Sequence, residues 1–244
     1  MSSFNQRQII DFSLITLLMV CGLASIDIHL ACMPEMMVAM HTNKYLMQHS
    51  FSLYFLGAVI GMMIYGPVSD RFGRKPAVLF GMTLACIDSF LTAINDQIYV
   101  FLALRFLMGL GSGTYILARV LVADITHGSR FIAATAYISL LILLGPMVAP
   151  MVGSYIQHWF SWQANFVFLG FLMLCFLCLW WWLFDQTHQS NHSKALSIRV
   201  VLKGHWFFCQ RQLFMSVTLF GGIVTASSYV YWVCRVLFFM RNFI

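Results

Sequence analysis

The sequence predicts an all-α membrane protein: a bundle of six spanning helices, a polar connector and a seventh span. Three observations predict it. Of 244 residues, 61% are apolar and 9% charged, whereas a soluble domain carries roughly 25% charged residues. With so few charges and a mean hydropathy of +0.82, the chain cannot clothe a water-facing surface, so the lipid bilayer is its expected solvent and first partner. The apolar residues gather into seven runs, each about the ~20 residues that a helix needs to cross hydrocarbon. The basic residues sit between those runs, mostly on one side.

The runs follow in order. Phe12–Ala31 is the first and ends before Pro34. Phe51–Tyr65 is the second, extended by its flank from about Gln48. Ala77–Ile94, Ile98–Val122, Phe131–Tyr155 and Ala164–Phe184 complete six, and Leu213–Val233 is the seventh. The expected organisation is therefore residues 1–184 as an N-terminal six-helix bundle, 185–212 as a cytoplasmic linker, and 213–244 as a seventh span with an aberrant tail. Within the linker, Ser197–Arg211 reads as an interfacial amphipathic helix or equally as plain flexible chain.

Charge sets the orientation. With the N-terminus in the cytoplasm, Arg7 is inside, as are Arg71, Arg74 and Lys75 after span two and Arg130 after span four. Lys194, Arg199, Lys203 and Arg211 follow span six, and the other side collects only Lys44. That asymmetry predicts a multi-pass inner-membrane protein. The net charge of +6 thus reads as topology signals, and nucleic acid is not an expected partner. Span seven would deliver Arg235 and Arg241 to the opposite side, against the charge rule. The tail reads as a chain stopped by accident.

Most of the seven cysteines lie inside apolar runs, where Cys behaves as a small hydrophobe. Cys175 and Cys178 have redox-motif spacing but no electropositive neighbour in sequence. No cleavable signal peptide is expected, because no small-residue cleavage site follows the first run. The histidines are scattered, with no pair at metal spacing on one helix. Neither a metal nor a catalytic residue is expected, and an enzyme is the least favoured class.

The most specific motif is Gly66-Pro-Val-Ser-Asp70-Arg71-Phe-Gly73-Arg74-Lys75, placed in the short loop between spans two and three. Its glycines permit a tight turn and close approach, Asp70 can cap or pair across a helix end, and its three cations hold the loop inside. It resembles the signature loop of the major facilitator superfamily, with Val68 in a Leu position. The resemblance implies a gating element that latches against a C-terminal half.

Span four carries Arg105 ahead of Gly109, Gly111 and Gly113. An Arg at the bilayer centre costs ~2.5–3.5 kcal/mol on insertion scales and usually faces a cavity or a partner; snorkelling to an interface is the alternative. The segment resembles the superfamily's antiporter motif, whose Arg is associated with proton coupling; Met108 stands where that motif has Gln. Arg119 and Asp124 match part of a drug-antiporter pattern further along the same span, or serve as an interfacial anchor near the cytoplasm.

Span five carries Gly145, Pro146, Ala149, Pro150 and Gly153. Residues 145, 149 and 153 form a small-residue stripe, and each proline removes a backbone bond, which predicts a bend. The pattern resembles the antiporter signature of the superfamily's fifth helix. In span one, Asp27-Ile-His29-Leu-Ala31-Cys-Met-Pro34 is similar to a segment of the Bcr/CflA drug-resistance subfamily, with His29 in place of Tyr. An acid within a span is a functional candidate by default, so Asp27 is the preferred proton-binding residue, or else it sits at a wet helix end. Asp88 in span three either pairs with an Arg or lies near headgroups.

These resemblances imply the N-terminal half of a major facilitator fold, of the drug:proton antiporter type. The expected function is proton-coupled efflux of small amphipathic compounds, with Asp27, Arg105, Arg119 and Asp124 at the coupling or substrate site. No cofactor is expected; the proton gradient supplies the energy. Transporters of this kind have two halves with substrate between them, so the chain is expected to be incomplete and not to transport unaided. The alternatives are a truncated, non-functional remnant, or one piece of a split transporter whose C-terminal half is encoded separately.

Overall fold

The computed structural model describes residues 6–126, 128–184 and 210–243, with only the backbone of Ser129 and of most residues past Val224. The chain divides into two units, residues 1–192 and 193–244. The first unit holds six helical spans built from eight α-helices: α1 (Gln6–Asp27), α2 (Met33–Ala39), α3 (Lys44–Phe72), α4 (Arg74–Ala93), α5 (Ile98–Ser112), α6 (Leu117–Ile125), α7 (Ser129–Trp159) and α8 (Trp162–Leu183). All six spans are long and apolar enough to cross a membrane: 6–39, 44–72, 74–93, 98–125, 130–159 and 162–183. No strand occurs among the described residues.

The second unit contributes α9 (Gln212–Phe243), which covers the seventh run. Its described apolar stretch, Gln212–Val224, is shorter than a span. Most of the linker, including Lys194, Arg199, Lys203 and nearly all of the Ser197–Arg211 stretch, lies outside the described residues, as do the side chains of Arg235 and Arg241.

Two spans are interrupted where the sequence predicts continuous helix. Span one stops at Asp27, well before Pro34, and resumes through a 3-10 turn at Leu30–Cys32 into α2, where Pro34 sits in the first turn. Proline is tolerated there because the N–H it lacks would have no helical partner. The last α-type bond of this segment runs from Ile28 N–H to the Ala24 carbonyl at 3.0 Å, and the next carbonyl, that of Ser25, accepts from the Arg105 side chain at 3.2 Å. Span four is interrupted by a 3-10 turn at Gly113–Ile116, between α5 and α6.

Glycine decides how closely the spans approach. A Cβ on Gly57 of α3 would strike the Phe106 carbonyl of α5, and one on Gly109 of α5 would strike the Tyr54 carbonyl of α3. On the other side of α5, a Cβ on Gly111 would come within 2.6 Å of the Gly81 carbonyl of α4. Thus α5 is wedged backbone-to-backbone between α3 and α4, the arrangement that small residues permit in lipid. α8 covers α4, with Cys86 Sγ donating to the Gly170 carbonyl at 3.4 Å and the Phe90 and Phe171 rings meeting edge-on at 5.4 Å. α7 lies on α1: Gly153 abuts the Ile28 carbonyl, and Gly145 faces Leu23. It runs unbroken through Pro146 and Pro150.

Candidate functional site

Two clusters of buried charged side chains stand out among the described residues. The first occupies the turn between α3 and α4. The motif predicted as a loop is nearly all helix: Gly66 to Phe72 complete α3, Gly73 alone is non-helical, and Arg74 begins α4. Gly73 adopts φ +97°, a conformation that favours glycine. Gly66 has nothing within 4 Å of where a Cβ would stand, so no close approach depends on it.

Arg74 is buried and organises this end. Its Nη1 donates to Asp70 Oδ1 at 2.6 Å and to Ser69 Oγ, and its Nε donates to Asp124 Oδ2 at 3.2 Å. Asp124 is thus drawn from the end of α6 to the α3–α4 turn, while Arg119 is exposed and apart from it. Lys75 Nζ donates to the Trp181 carbonyl at 2.8 Å, and Arg7 Nη2 to the Leu183 carbonyl at 3.1 Å. Both cations sit on the last carbonyls of α8, where the helix dipole favours positive charge. Arg71 is exposed, over the Phe72 ring at 5.1 Å.

The second centre surrounds Arg105. Along span four it stands about 28 Å from Asp124, at 1.5 Å per residue. Arg105 is fully buried, at 0% exposure. Its Nη1 donates to the Ser25 carbonyl at 3.2 Å and to the Met108 sulfur at 3.0 Å, so the residue standing in the Gln position supplies a weak thioether acceptor. The guanidinium lies 4.8 Å from the Tyr54 ring centroid. The Tyr54 hydroxyl bridges Ser25 Oγ at 2.7 Å and Ser112 Oγ at 2.6 Å.

Around this arginine the buried polar groups are unsatisfied. Asp27 and Asp88 are 1% and 2% exposed. Neither carboxylate has a hydrogen-bond partner among the described residues, nor do Arg105 Nε and Nη2 or the two ring nitrogens of His29. Both acids nonetheless lie in the Coulombic field of Arg105. His29 is stacked on Phe51 at 5.1 Å and flanked by Phe166 at 6.0 Å. An unpaired charge in such a place is costly, and a carboxylate escapes that cost by taking a proton. The centre thus combines one buried cation with two buried acids that no hydrogen bond fixes among the described residues.

Of the residues singled out from sequence, Asp27 and Arg105 are brought together, whereas Asp124 joins Arg74 and Arg119 joins neither centre. Gly145 and Gly153 pack on span one beside Asp27, and the exposed flank of α7 carries a shallow concavity of about 560 Å³ lined by Pro150, Met151, Ser154, Tyr155 and His158. Sequence reasoning missed Tyr54, Ser25 and Ser112. A signal existed: Ser50, Tyr54, Ala58, Gly61 and Tyr65 are buried at helical spacing along α3, a stripe of small residues and tyrosines in an otherwise aliphatic span.

Comparison with known proteins places this arrangement. The profile described as Major Facilitator Superfamily matches residues 15–240. A bicyclomycin resistance protein homolog of Haemophilus influenzae is 26% identical over 215 residues, covering 84% of this chain and 54% of that relative. Multidrug resistance protein MdtL of Shewanella oneidensis is 27% identical over 209 residues, covering 84% of this chain and 52% of the relative. Multidrug resistance protein D of Escherichia coli is 26% identical over 171 residues, covering 70% and 43%. The chain therefore spans about half the length of the curated relatives it matches. Among solved structures, the human organic anion transporter MFSD10 superposes with a TM-score of 0.64 at 17% identity, covering 80% of this chain and 53% of that one; the likeness is one of fold.

Proposed function

Because the chain belongs to the Major Facilitator Superfamily, we propose that it is the N-terminal six-span half of a proton-coupled exporter of small amphipathic compounds, set in the inner membrane with its N-terminus in the cytoplasm. The drug-resistance names of its relatives support the substrate class. Arg7, Arg71, Arg74, Lys75 and Arg130 all lie at one end of the bundle, which supports the orientation. The observation that carries the reading is Arg105: fully buried, two of its nitrogens unpartnered, and bonded to the Ser25 carbonyl two residues before the unpartnered carboxylate of Asp27.

The mechanism follows from that geometry. With Asp27 ionised, Arg105 and the carboxylate attract, drawing the end of span one onto span four. A proton on Asp27 removes that attraction. If the two access states hold the pair at different separations, proton binding favours one of them, and only such differential affinity can drive the exchange. The Arg74 cluster ties span two, span three and span four together at the cytoplasmic end, where a second half would meet the gating turn. Substrate would lie at the midplane between the halves, so the chain needs a partner bundle to enclose it.

Everted vesicles test the proposal. With the chain alone, we expect no drug-dependent release of a pre-formed proton gradient. When it is co-expressed with the C-terminal six spans of a drug-resistance relative, we expect that release to appear and Asp27→Asn to abolish it. Gradient-driven drug uptake by the chain alone would overturn the two-half requirement. Uptake by the assembled pair that is indifferent to Asp27→Asn would overturn the coupling site.

A further inference from the structure

Asp88 has no part in the mechanism above, yet it is built into the same centre. α4 and α5 run antiparallel and touch at Ala85 and Gly111. Asp88 and Thr92, three and seven residues past Ala85, therefore fall opposite Met108 and Leu104, the residues that bracket Arg105 by position. Measured along the helices, Asp88 and Arg105 both lie about 8–11 Å from the same end of the bundle, at 1.5 Å per residue. Asp27 closes α1 at that same end.

We propose that Asp88 is a second protonatable carboxylate of this centre, sharing the Arg105 guanidinium with Asp27, so that the cation serves one ionised acid at a time. The inference rests on the reading of Asp27 and Arg105 as a proton-coupling pair and enlarges it from one proton to two.

The charges support the sharing. With both acids ionised the cluster carries one net negative charge, with both protonated one net positive charge, and with one proton it is neutral. Burial favours the neutral form. Arg105 keeps Nε and Nη2 unpartnered on a long side chain, so it has donors for either acid. Among the described residues, Arg105 is the charged group whose field reaches Asp88. α8, which covers α4 on its other side, contains no Asp, Glu, Lys, Arg or His. From α3 the titratable group at Arg105 is Tyr54, and from the segment after α1 it is His29. Arg119 and Asp124 of α6 lie toward the opposite end. Each step is a simple exchange: a proton from water binds a carboxylate oxygen, or leaves the acid for water, and no other reactant is needed.

Infrared difference titration of the full chain in lipid tests this, because the C=O stretch of a protonated carboxylic acid in an apolar site is resolved from that of a carboxylate. Two titrating acid bands are expected in the wild type, one lost in Asp27→Asn and the other in Asp88→Asn. In each single variant the surviving band should titrate at a changed pH. A spectrum in which only Asp27→Asn removes a band overturns the role of Asp88 and leaves the Asp27 reading standing. Loss of a band only in Asp88→Asn overturns the sharing and the Asp27 reading together. Two bands that titrate independently overturn the sharing. Should Asp88→Asn not fold, Asp88→Glu retains the acid and must displace one wild-type band; an unmoved spectrum overturns the proposal.

Discussion

Two arginines, Arg74 and Arg105, are both buried in this bundle, and they are treated in opposite ways. Arg74 spends its donors on Ser69, Asp70 and Asp124. Arg105 has two acids in its field and bonds to neither, leaning on a backbone carbonyl and a thioether. A guanidinium whose acceptors are fixed holds helices in one arrangement. A guanidinium with free donors and unclaimed acids can settle in more than one. On the proposed reading, the contrast separates a fastening from a switch.

The sharpest way to break the contrast is to remove each arginine in turn. Arg105→Met leaves two buried acids without their counter-charge and should cost about 3–5 kcal/mol of stability when those acids are ionised. The loss should grow as pH rises, since a protonated acid needs no cation. Denaturant melts at acidic and alkaline pH read this directly, and a pH-independent loss would mean that Arg105 serves packing alone.

Arg74→Ala should cost less, about 1–2 kcal/mol. Charge-assisted hydrogen bonds contribute more than neutral ones, but solvent screens the partners here: Asp124 is 18% and Asp70 68% exposed in its side chain. A double-mutant cycle should assign most of the coupling to Asp124, and equal coupling to the two acids would contradict the exposure argument.

Tyr54→Phe is the mildest change. It removes the hydroxyl between Ser25 and Ser112 and should cost about 0.5–1.5 kcal/mol, while the ring stays beneath the guanidinium. Thermal unfolding should fall slightly and the infrared acid bands should keep their titrations; a large shift in those bands would place the hydroxyl inside the switch.

Much of this was readable from the chain. The six spans follow from run length, because hydrocarbon thickness fixes how many apolar residues a helix requires. Arg105 and Asp27 stood out because charge inside an apolar run is expensive. Gly73 and Arg74 stood out as a motif. What could not be read was pairing. Asp124 lies five residues from Arg119 and fifty from Arg74, and it is the distant one it meets. The interruption after Asp27 also escaped, because its cause lies on other spans: Arg105 takes the Ser25 carbonyl, and Gly153 packs on the Ile28 carbonyl. Tyr54 looked like one more aromatic residue until α5 supplied Ser112 and Arg105 beside it.

The bond between Arg7 and the Leu183 carbonyl joins positions 176 residues apart. At ribosomal speeds of 5–20 residues per second, about 9–35 s elapse between synthesis of the two ends. During that interval Arg7 still lacks this acceptor. Completion of the bundle is therefore a late event in biosynthesis, and a nascent chain halted before residue 183 should remain open to a membrane protease or a chaperone however well its earlier segments have inserted.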